Sequence, residues 1–169
     1  MRIEGKAWVF GDNIDTDVLA PGYAMTLPPD ELAQHCLEAV DPSFAKTVER
    51  GDVIFAGRNF GLGSSREQAA ISLYLLGVGA VLASSFARIF YRNALNIGLP
   101  VLTYAHAGKV QPGDRVRVEP AAGRVTNLRT KTETAVDPLP AHLTEMVEAG
   151  GLMAHIKSRL KKDPSHDAA

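Results

Sequence analysis

The segment from Gly57 to Glu67 combines residue types that bind anions with residue types that move protons. Its three glycines permit positive φ angles, so the backbone can approach a ligand closely. Arg66 supplies a planar guanidinium that can hold a carboxylate through two parallel hydrogen bonds. Ser64 and Ser65 place two hydroxyls beside it. Together these side chains predict a site for a carboxylate or another anion.

The elements on either side of this segment are predicted to position it. An apolar run from Asp52 to Ala56 indicates a strand, and a helix is predicted from Ser65 to Leu76. The start of a helix carries unpaired N–H groups and the positive end of the helix dipole, which attract anions. A structural alternative stays open, in which a serine only caps the helix. A Walker-type phosphate loop is disfavoured, because Gly63 stands where that motif needs lysine.

Four motifs in order are more specific than any single glycine-rich loop. The segment from Gly57 to Glu67 resembles the signature of the aconitase swivel-domain family, whose stand-alone form is the small subunit of isopropylmalate isomerase (3-isopropylmalate dehydratase). The resemblance extends from about Gly5 to Leu102 and, more loosely, to the C-terminus. The other motifs that carry it are Gly11–Asp17, Ser84–Asn93 and Asn96–Pro100.

This resemblance implies both a fold and an activity. The fold is the swivelling β/β/α domain of the family, a mixed sheet with flanking helices in the α/β class. The activity is that of a hydro-lyase in leucine biosynthesis, which removes water from a branched malate and adds it back in the other orientation. A related substrate (citraconate with methylmalate, dimethylmalate or homoaconitate) stays open at this point, as does a non-enzymatic module that only binds an anion.

The same resemblance assigns roles within the signature. Ser64 matches the catalytic base of the family, and Ser65 and Arg66 match its carboxylate-binding residues. A serine can act as a base only where N–H groups and positive charge favour its alkoxide. The residues expected to position the loop are Asn59, Gly61 and Gly63.

A second loop is expected to determine which substrate binds. Tyr23, Met25 and Thr26 align with the family loop that contacts the substituent on the malate. Members that act on tricarboxylates carry an arginine there, whereas the flexible, apolar side chain of Met25 suits a hydrocarbon group. Packing of Met25 into the local core is the structural alternative.

Two positions depart from the commonest pattern of these small subunits. Leu62 stands where cysteine is frequent, and Gln68 stands where histidine is usual. Gln68 can form hydrogen bonds but cannot titrate near neutral pH. Because Ser64 and Arg66 are retained, the departures bear on the identity of the substrate rather than on the chemistry.

The cysteine content decides where a cofactor can lie. Iron–sulfur clusters are held chiefly by several cysteine thiolates, and Cys36 is the only cysteine in the sequence. The resemblance therefore implies a [4Fe-4S] cluster on a separate large subunit, with no cofactor or metal bound by this chain. We expect the chain to assemble with that cluster-bearing partner, to be inactive alone, and to be capable of self-association when isolated. Cys36 itself is predicted to be a small buried apolar residue.

Composition and charge are those of an ordinary globular protein. The 169 residues are 46% hydrophobic and 22% charged, with a net charge of −1, so no strong field favours nucleic acid or an anionic membrane. The longest apolar runs are too short to span a bilayer, and no secretory signal pattern is present at the N-terminus. We therefore expect one domain over residues 1–169, a flexible tail at 161–169, and a cytoplasmic location.

The remaining segments predict a mixed α/β arrangement. Strands that alternate with helices in the middle third favour parallel pairing, and the alternating residues from Arg115 to Glu119 begin a region of half-exposed strands. A helix is predicted from Asp30 to Val40. Asp15 and Asp17 are expected to serve a structural role at the rim of the cleft rather than to bind a metal.

Overall fold

The computed structural model describes residues 1–106 and 108–162. The fold is built on a seven-stranded sheet with the strand order β4-β3-β2-β1-β5-β6-β7. In chain order the strands β1 to β7 span Ile3–Val9, Val53–Ala56, Ala80–Ala83, Val101–Thr103, Arg115–Glu119, Arg124–Asn127 and Thr132–Ala135.

Seven α-helices are found among the described residues, together with a turn of 3-10 helix at Gly22–Ala24. None of the helices in this part of the chain is long and apolar enough to cross a membrane. In chain order the helices α1 to α7 span Thr16–Leu19, Pro29–Ala33, Phe44–Thr47, Gln68–Leu75, Arg88–Asn96, Ala141–Glu148 and Leu152–Lys162.

Strand β1 joins two differently built halves of the sheet. On one side it runs parallel to β2, with Ala7 opposite Val53, and β3 and β4 continue the parallel order. On the other side it runs antiparallel to β5, with Ile3 opposite Val118, and β6 and β7 follow as antiparallel neighbours. The predicted parallel pairing in the middle third is confirmed, and so is the mixed α/β class.

The side-chain pattern explains this division. All four residues of β3, Ala80–Ala83, are buried, as expected for a parallel strand covered on both faces. In β5 only Val116 and Val118 are buried, whereas the arginines between and before them face outward. An alternating strand of this kind covers the core with one face and meets solvent with the other.

The helix predicted from Asp30 to Val40 is wrong beyond Ala33. After α2 the chain continues in tight turns, and the N–H groups of Gln34, His35 and Cys36 bond to the carbonyls three residues back, as Cys36 does with Ala33 at 3.1 Å. Leu37 then takes a positive φ of 61°, and its N–H donates to the carbonyl of Val18 at 3.0 Å. This contact with α1 replaces a continued helix.

The C-terminal end also differs from the prediction. Helix α7 includes Lys161 and Lys162, which were expected to belong to a flexible tail. The rest of that predicted tail, residues 163–169, lies outside the described residues.

Candidate active site

The signature segment lies at the carboxyl edge of the parallel strands. It follows β2 directly, while the segment from Phe10 to Asp15 follows β1 and the segment from Ser84 to Ala87 follows β3. Since parallel strands bring their carboxyl ends to one edge of a sheet, the motifs that are far apart in sequence meet there. This edge is also where open α/β sheets bind their ligands.

Backbone hydrogen bonds join the signature segment to the segment after β1. The two segments run side by side, so that each fixes the position of the other. Asp12 adds a side-chain contact, because its carboxylate accepts from the N–H of Arg58 at 2.7 Å, and this bond lowers the pKa of Asp12. The four backbone bonds are Gly57 N to Gly11 O (3.1 Å), Asn13 N to Arg58 O (2.8 Å), Gly61 N to Ile14 O (2.7 Å) and Thr16 N to Leu62 O (2.8 Å).

The segment after β3 holds the other side of the signature loop. The N–H of Phe60 donates to the carbonyl of Ser85 at 3.0 Å, and the N–H of Ala87 donates to the carbonyl of Phe60 at 2.9 Å. The hydroxyl of Ser85 accepts from the N–H of Asn59 at 2.9 Å. Phe60 is fully buried and packs edge-on against Phe90.

The three residues predicted to position the loop all have positive φ angles. Asn59 also donates its side-chain amide to the Asn13 oxygen at 3.0 Å. At Gly61 an added Cβ would collide with the ring of Phe90, and at Gly63 it would come within 2.9 Å of the Thr16 hydroxyl. The loop therefore requires glycine at both positions for space as well as for backbone angle.

Ser64 lies on the exposed surface of this loop. Its hydroxyl is 3.1 Å from the hydroxyl of Thr16, and its N–H donates to the same Thr16 oxygen at 3.1 Å. Thr16 is only 4% exposed, so it supports Ser64 from below. The exposed face of Ser64 is left open to a substrate or to a second protein surface.

The expected helix start at Ser65 is wrong, and so is the alternative that a serine caps this helix. Helix α4 begins at Gln68, and its N-cap residue is Glu67, which makes no side-chain capping bond. The serines instead belong to the extended loop, because Ser64 is paired with Thr16. The helix dipole therefore begins three residues later than predicted, farther from both hydroxyls.

Arg66 is anchored on one side and open on the other. Its Nη1 donates to the carbonyl of Ala20 at 2.7 Å and to the carboxylate of Asp17 at 3.3 Å. Among the described residues Nε and Nη2 have no hydrogen-bond partner, and the side chain is 24% exposed. The guanidinium is thus oriented by protein contacts while part of its fork remains able to bind a carboxylate.

Ser65 and Gln68 lie close to these groups along the chain. Ser65 is exposed, and its carbonyl accepts from the side-chain amide of Asn93 at 3.5 Å. Leu62 is partly buried, and its carbonyl holds Thr16. Gln68 is partly buried as the first residue of α4. The structure places Ser64, Ser65 and Arg66 on one continuous loop surface.

The predicted specificity loop joins the site through Asp17. The same carboxylate oxygen that contacts Arg66 accepts from the N–H of Gly22 at 2.9 Å. Met25 is partly buried and packs on a small apolar cluster that includes Ala24 and Leu32. Met25 therefore packs locally, as the structural alternative predicted.

The two other residues of this loop are exposed. Tyr23 is 72% exposed, and its hydroxyl lies 3.4 Å from Nδ1 of His35. Thr26 is exposed. No hydrogen bond within the described residues joins either of them to Ser64, and the hydrogen-bonded link from this loop to the site runs from Gly22 through Asp17 to Arg66.

Three contributors to the site were missed by sequence reasoning. Asp17 was expected only to be structural, and Thr16 received no role of its own within the motif Gly11–Asp17, yet they touch Arg66 and Ser64 directly. Ser85 was noted within a motif but received no role, although it holds Asn59. Their positions within the resembling motifs were a signal that each was worth a specific assignment.

The residues of this chain do not fit an iron–sulfur cluster. Cys36 is fully buried in the core, and burial raises the pKa of its thiol, so the thiolate that a metal requires is disfavoured. The prediction of a buried apolar cysteine is confirmed. Within residues 1–106 and 108–162, no group of three or more His, Cys, Asp or Glu side chains could hold a metal ion.

Comparison with known proteins agrees with the arrangement of motifs. The family model of the aconitase C-terminal domain matches residues 33–107. The chain is 46% identical over 163 residues to the 3-isopropylmalate dehydratase small subunit of Moorella thermoacetica, covering 95% of this chain and 98% of that protein. It is 48% identical over 165 residues to the small subunit of Caldicellulosiruptor saccharolyticus, covering 96% and 95%.

A solved structure shares the fold. The crystal structure of 3-isopropylmalate dehydratase from Methanocaldococcus jannaschii superimposes with a TM-score of 0.88 at 42% sequence identity. The superposition covers 94% of this chain and 95% of that one. The expected swivelling-domain fold is thereby confirmed.

Proposed function

We propose, because this chain belongs to the family of 3-isopropylmalate dehydratase small subunits, that it forms one wall of the active site of a hydro-lyase. The enzyme interconverts 2-isopropylmalate and 3-isopropylmalate in leucine biosynthesis. The other wall is supplied by a large subunit, which carries the [4Fe-4S] cluster that this chain cannot hold. A cytoplasmic location follows from this biosynthetic role.

The observation that carries the proposal is the exposed Ser64 hydroxyl on a rigid loop beside an oriented arginine. The reaction begins when a base removes a proton from a carbon next to a carboxylate. That proton is weakly acidic, so the negative charge that moves into the carboxylate must be stabilised by fixed donors. Ser64 takes the proton, and Arg66 and Ser65 bind the carboxylate.

Preorganisation explains why an exposed serine can serve as the base. The loop is held by backbone bonds on two sides, so the hydroxyl keeps its position without help from the substrate. Arg66 is held by Ala20 and Asp17, so its charge is also fixed before the substrate arrives. Because Ser64 lies on an open surface, the large subunit must cover it to exclude water.

The loop from Tyr23 to Thr26 contacts the alkyl substituent of the malate. Met25 offers an apolar surface, and the loop itself carries no arginine or lysine. The charged groups linked to it are already paired among the described residues: Arg66 with Asp17 beside Gly22, and His35 with Glu38 beside Tyr23. A third carboxylate on the substrate would have no unpaired cationic partner in this loop. The loop therefore favours isopropylmalate or a smaller alkyl malate over a tricarboxylate, and a difference of one methylene is worth only about 1–3 kcal/mol.

The decisive experiment reconstitutes this chain with a cluster-bearing large subunit. Turnover of isopropylmalate, citraconate and homoaconitate is measured separately, and isopropylmalate is expected to give the highest kcat/KM. The free chain is expected to be inactive with all three. Higher turnover of citraconate would reassign the enzyme to methylmalate, and binding of these acids without turnover would favour the non-enzymatic alternative.

Two serine variants test the assigned base in the same assay. Ser64→Ala is expected to lower kcat by about 10³-fold while the complex still assembles. Ser72→Ala is the matched control, because this hydroxyl is buried in α4 without a hydrogen-bond partner among the described residues. Full activity of the Ser64→Ala complex would overturn the mechanism.

A further inference from the structure

We propose that Thr16 is a positioning residue that orients the Ser64 hydroxyl and donates a hydrogen bond to Ser64 in its deprotonated form, the form that acts as the base. This inference rests on the proposed function, since it requires Ser64 to be that base. It assigns a chemical task to a residue for which the sequence alone indicated no individual role.

The geometry gives Thr16 two contacts with the same residue. Its oxygen accepts the backbone N–H of Ser64 at 3.1 Å and lies 3.1 Å from the Ser64 hydroxyl oxygen. Once the threonine oxygen accepts the N–H, its own proton is available to be donated. The Ser64 hydroxyl oxygen is the only acceptor within reach among the described residues, so the donated bond points at the reacting atom.

Burial explains why the donor is effective. Thr16 is 4% exposed, so water does not compete strongly for its hydroxyl. A hydrogen bond that is made to the charged form of a group favours that form. The threonine thereby stabilises the alkoxide relative to the neutral hydroxyl, while the exposed face of Ser64 remains open to the substrate.

The surrounding contacts hold the hydroxyls of Thr16 and Ser64 next to each other. The N–H of Thr16 donates to the carbonyl of Leu62 at 2.8 Å, and Asp15 caps helix α1 through the N–H of Val18 at 2.8 Å. Gly63 leaves the space that the Thr16 hydroxyl occupies, since a Cβ there would come within 2.9 Å of it. β-branching further restricts the side chain of threonine to few rotamers.

A packing role alone does not require this hydroxyl. Valine has nearly the same shape, and at a buried position it would bring no polar group that needs a partner. The charged groups nearest along the chain are Asp15, Asp17, Arg66 and Glu67. Asp15 and Asp17 are already engaged, with the cap of α1 and with Arg66, so they remain in place when Thr16 is changed.

The test compares three variants in the assembled complex with the large subunit. Thr16→Val removes the hydroxyl, Thr16→Ser keeps it, and Thr47→Val removes an exposed hydroxyl that bonds only to the Ser43 carbonyl among the described residues. We expect Thr16→Val to lower kcat by about 10- to 100-fold, the worth of a hydrogen bond to a charged group. The rise of kcat with pH should shift upward by about one to two pH units, since each tenfold change corresponds to about one unit.

Rescue separates a chemical role from a structural one. Thr16→Ser is expected to restore most of kcat and the original pH profile, and Thr47→Val is expected to resemble the unmodified complex. A lower thermal stability of Thr16→Val with an unchanged pH profile would overturn the proposal. If Thr16→Val does not fold, Thr16→Ala is measured in its place, with the same expected shift of the pH profile.

The Ser64→Ala variant tells the two possible failures apart. An inactive Ser64→Ala complex together with an unshifted Thr16→Val profile would reject only the role of Thr16. A fully active Ser64→Ala complex would reject the base itself, and the role of Thr16 with it.

Discussion

The two halves of the sheet use their polar residues in opposite ways. At the carboxyl edge of the parallel half, backbone hydrogen bonds hold the loops, and the side chains of Ser64 and Ser65 remain exposed. In the antiparallel half, charged side chains form salt bridges with each other, such as Arg129 with Asp114 at 2.6 Å and Arg124 with Glu119 at 2.7 Å.

This difference shows how a small domain can keep reactive groups available. Where backbone hydrogen bonds hold a region together, a side chain can be removed without loss of the fold. Where side-chain pairs hold the region together, removal of one side chain leaves its buried partner unpaired. The first kind of region should therefore respond to mutation through activity, and the second kind through stability.

The largest contrast is expected between two arginine substitutions. Arg66→Lys should lower kcat/KM of the assembled complex by about 100-fold, because an ammonium cannot reproduce the planar fork that binds a carboxylate. Arg124→Lys in the antiparallel half should leave kcat/KM unchanged, since Arg124 is exposed, pairs with Glu119 and has no role in the site. Steady-state kinetics on both complexes measures this contrast, and equal losses would erase the distinction between the two halves.

Asp114→Asn should affect stability rather than activity. The carboxylate is buried and accepts from Arg129, from the N–H of Gln111 and from the side-chain amide of Asn127. We expect a loss of about 2 kcal/mol in the free energy of unfolding at neutral pH, measured by denaturant titration. Reconstitution with the large subunit should give normal kcat.

The difference in stability between the natural chain and Asp114→Asn should also depend on pH. The hydrogen bond from Arg129 is the main cause that lowers the pKa of Asp114 far below its usual range. A lowered pKa contributes stability above the unfolded value of about 3.9, and the contribution is lost as the pH falls below it. The difference between the natural chain and Asp114→Asn should therefore shrink below about pH 4, and a constant difference would contradict the assignment.

A smaller effect is expected at Met25. Met25→Ala should lower kcat/KM for isopropylmalate by about tenfold, because an apolar contact with the alkyl group is lost. The loss for a malate with a methyl substituent should be smaller. If both substrates are affected equally while the thermal stability falls, Met25 acts only through its packing on Ala24 and Leu32.

The smallest expected effect is an increase in stability, in the variant Ser72→Ala. Ser72→Ala removes a buried hydroxyl that has no hydrogen-bond partner among the described residues, so the free energy of unfolding should rise by about 1 kcal/mol. Thermal unfolding of the isolated chain measures this change. A clear loss of stability would indicate a partner for this hydroxyl.

Sequence reasoning predicted the elements with strong local signals. The half-exposed strand Arg115–Glu119 is confirmed at its predicted bounds, and the strand predicted from Asp52 to Ala56 begins one residue later, at Val53. The order of motifs was sufficient to identify the family. These features depend on residues that are close in sequence, where hydrophobic pattern and glycine geometry dominate.

The features that were mispredicted depend on contacts between distant residues. Helix α2 ends early because Leu37 pairs with Val18, and α4 starts late because Ser64 pairs with Thr16. The contact between Thr16 and Ser64 could not be predicted from the neighbours of Thr16 in sequence, since the two residues are 48 positions apart. Propensity favoured a longer helix in both places, and tertiary contacts overrode it.

The most direct test of the account is the rate at which the assembled complex breaks the C–H bond of its substrate. 2-Isopropylmalate is labelled with deuterium at the methylene carbon beside its carboxylate, from which the base removes a proton. Loss of the label to water is followed by mass spectrometry. The Ser64→Ala complex should retain the label while Ser72→Ala loses it at the rate of the unmodified complex. Loss of the label at that same rate from Ser64→Ala would show that another group removes the proton.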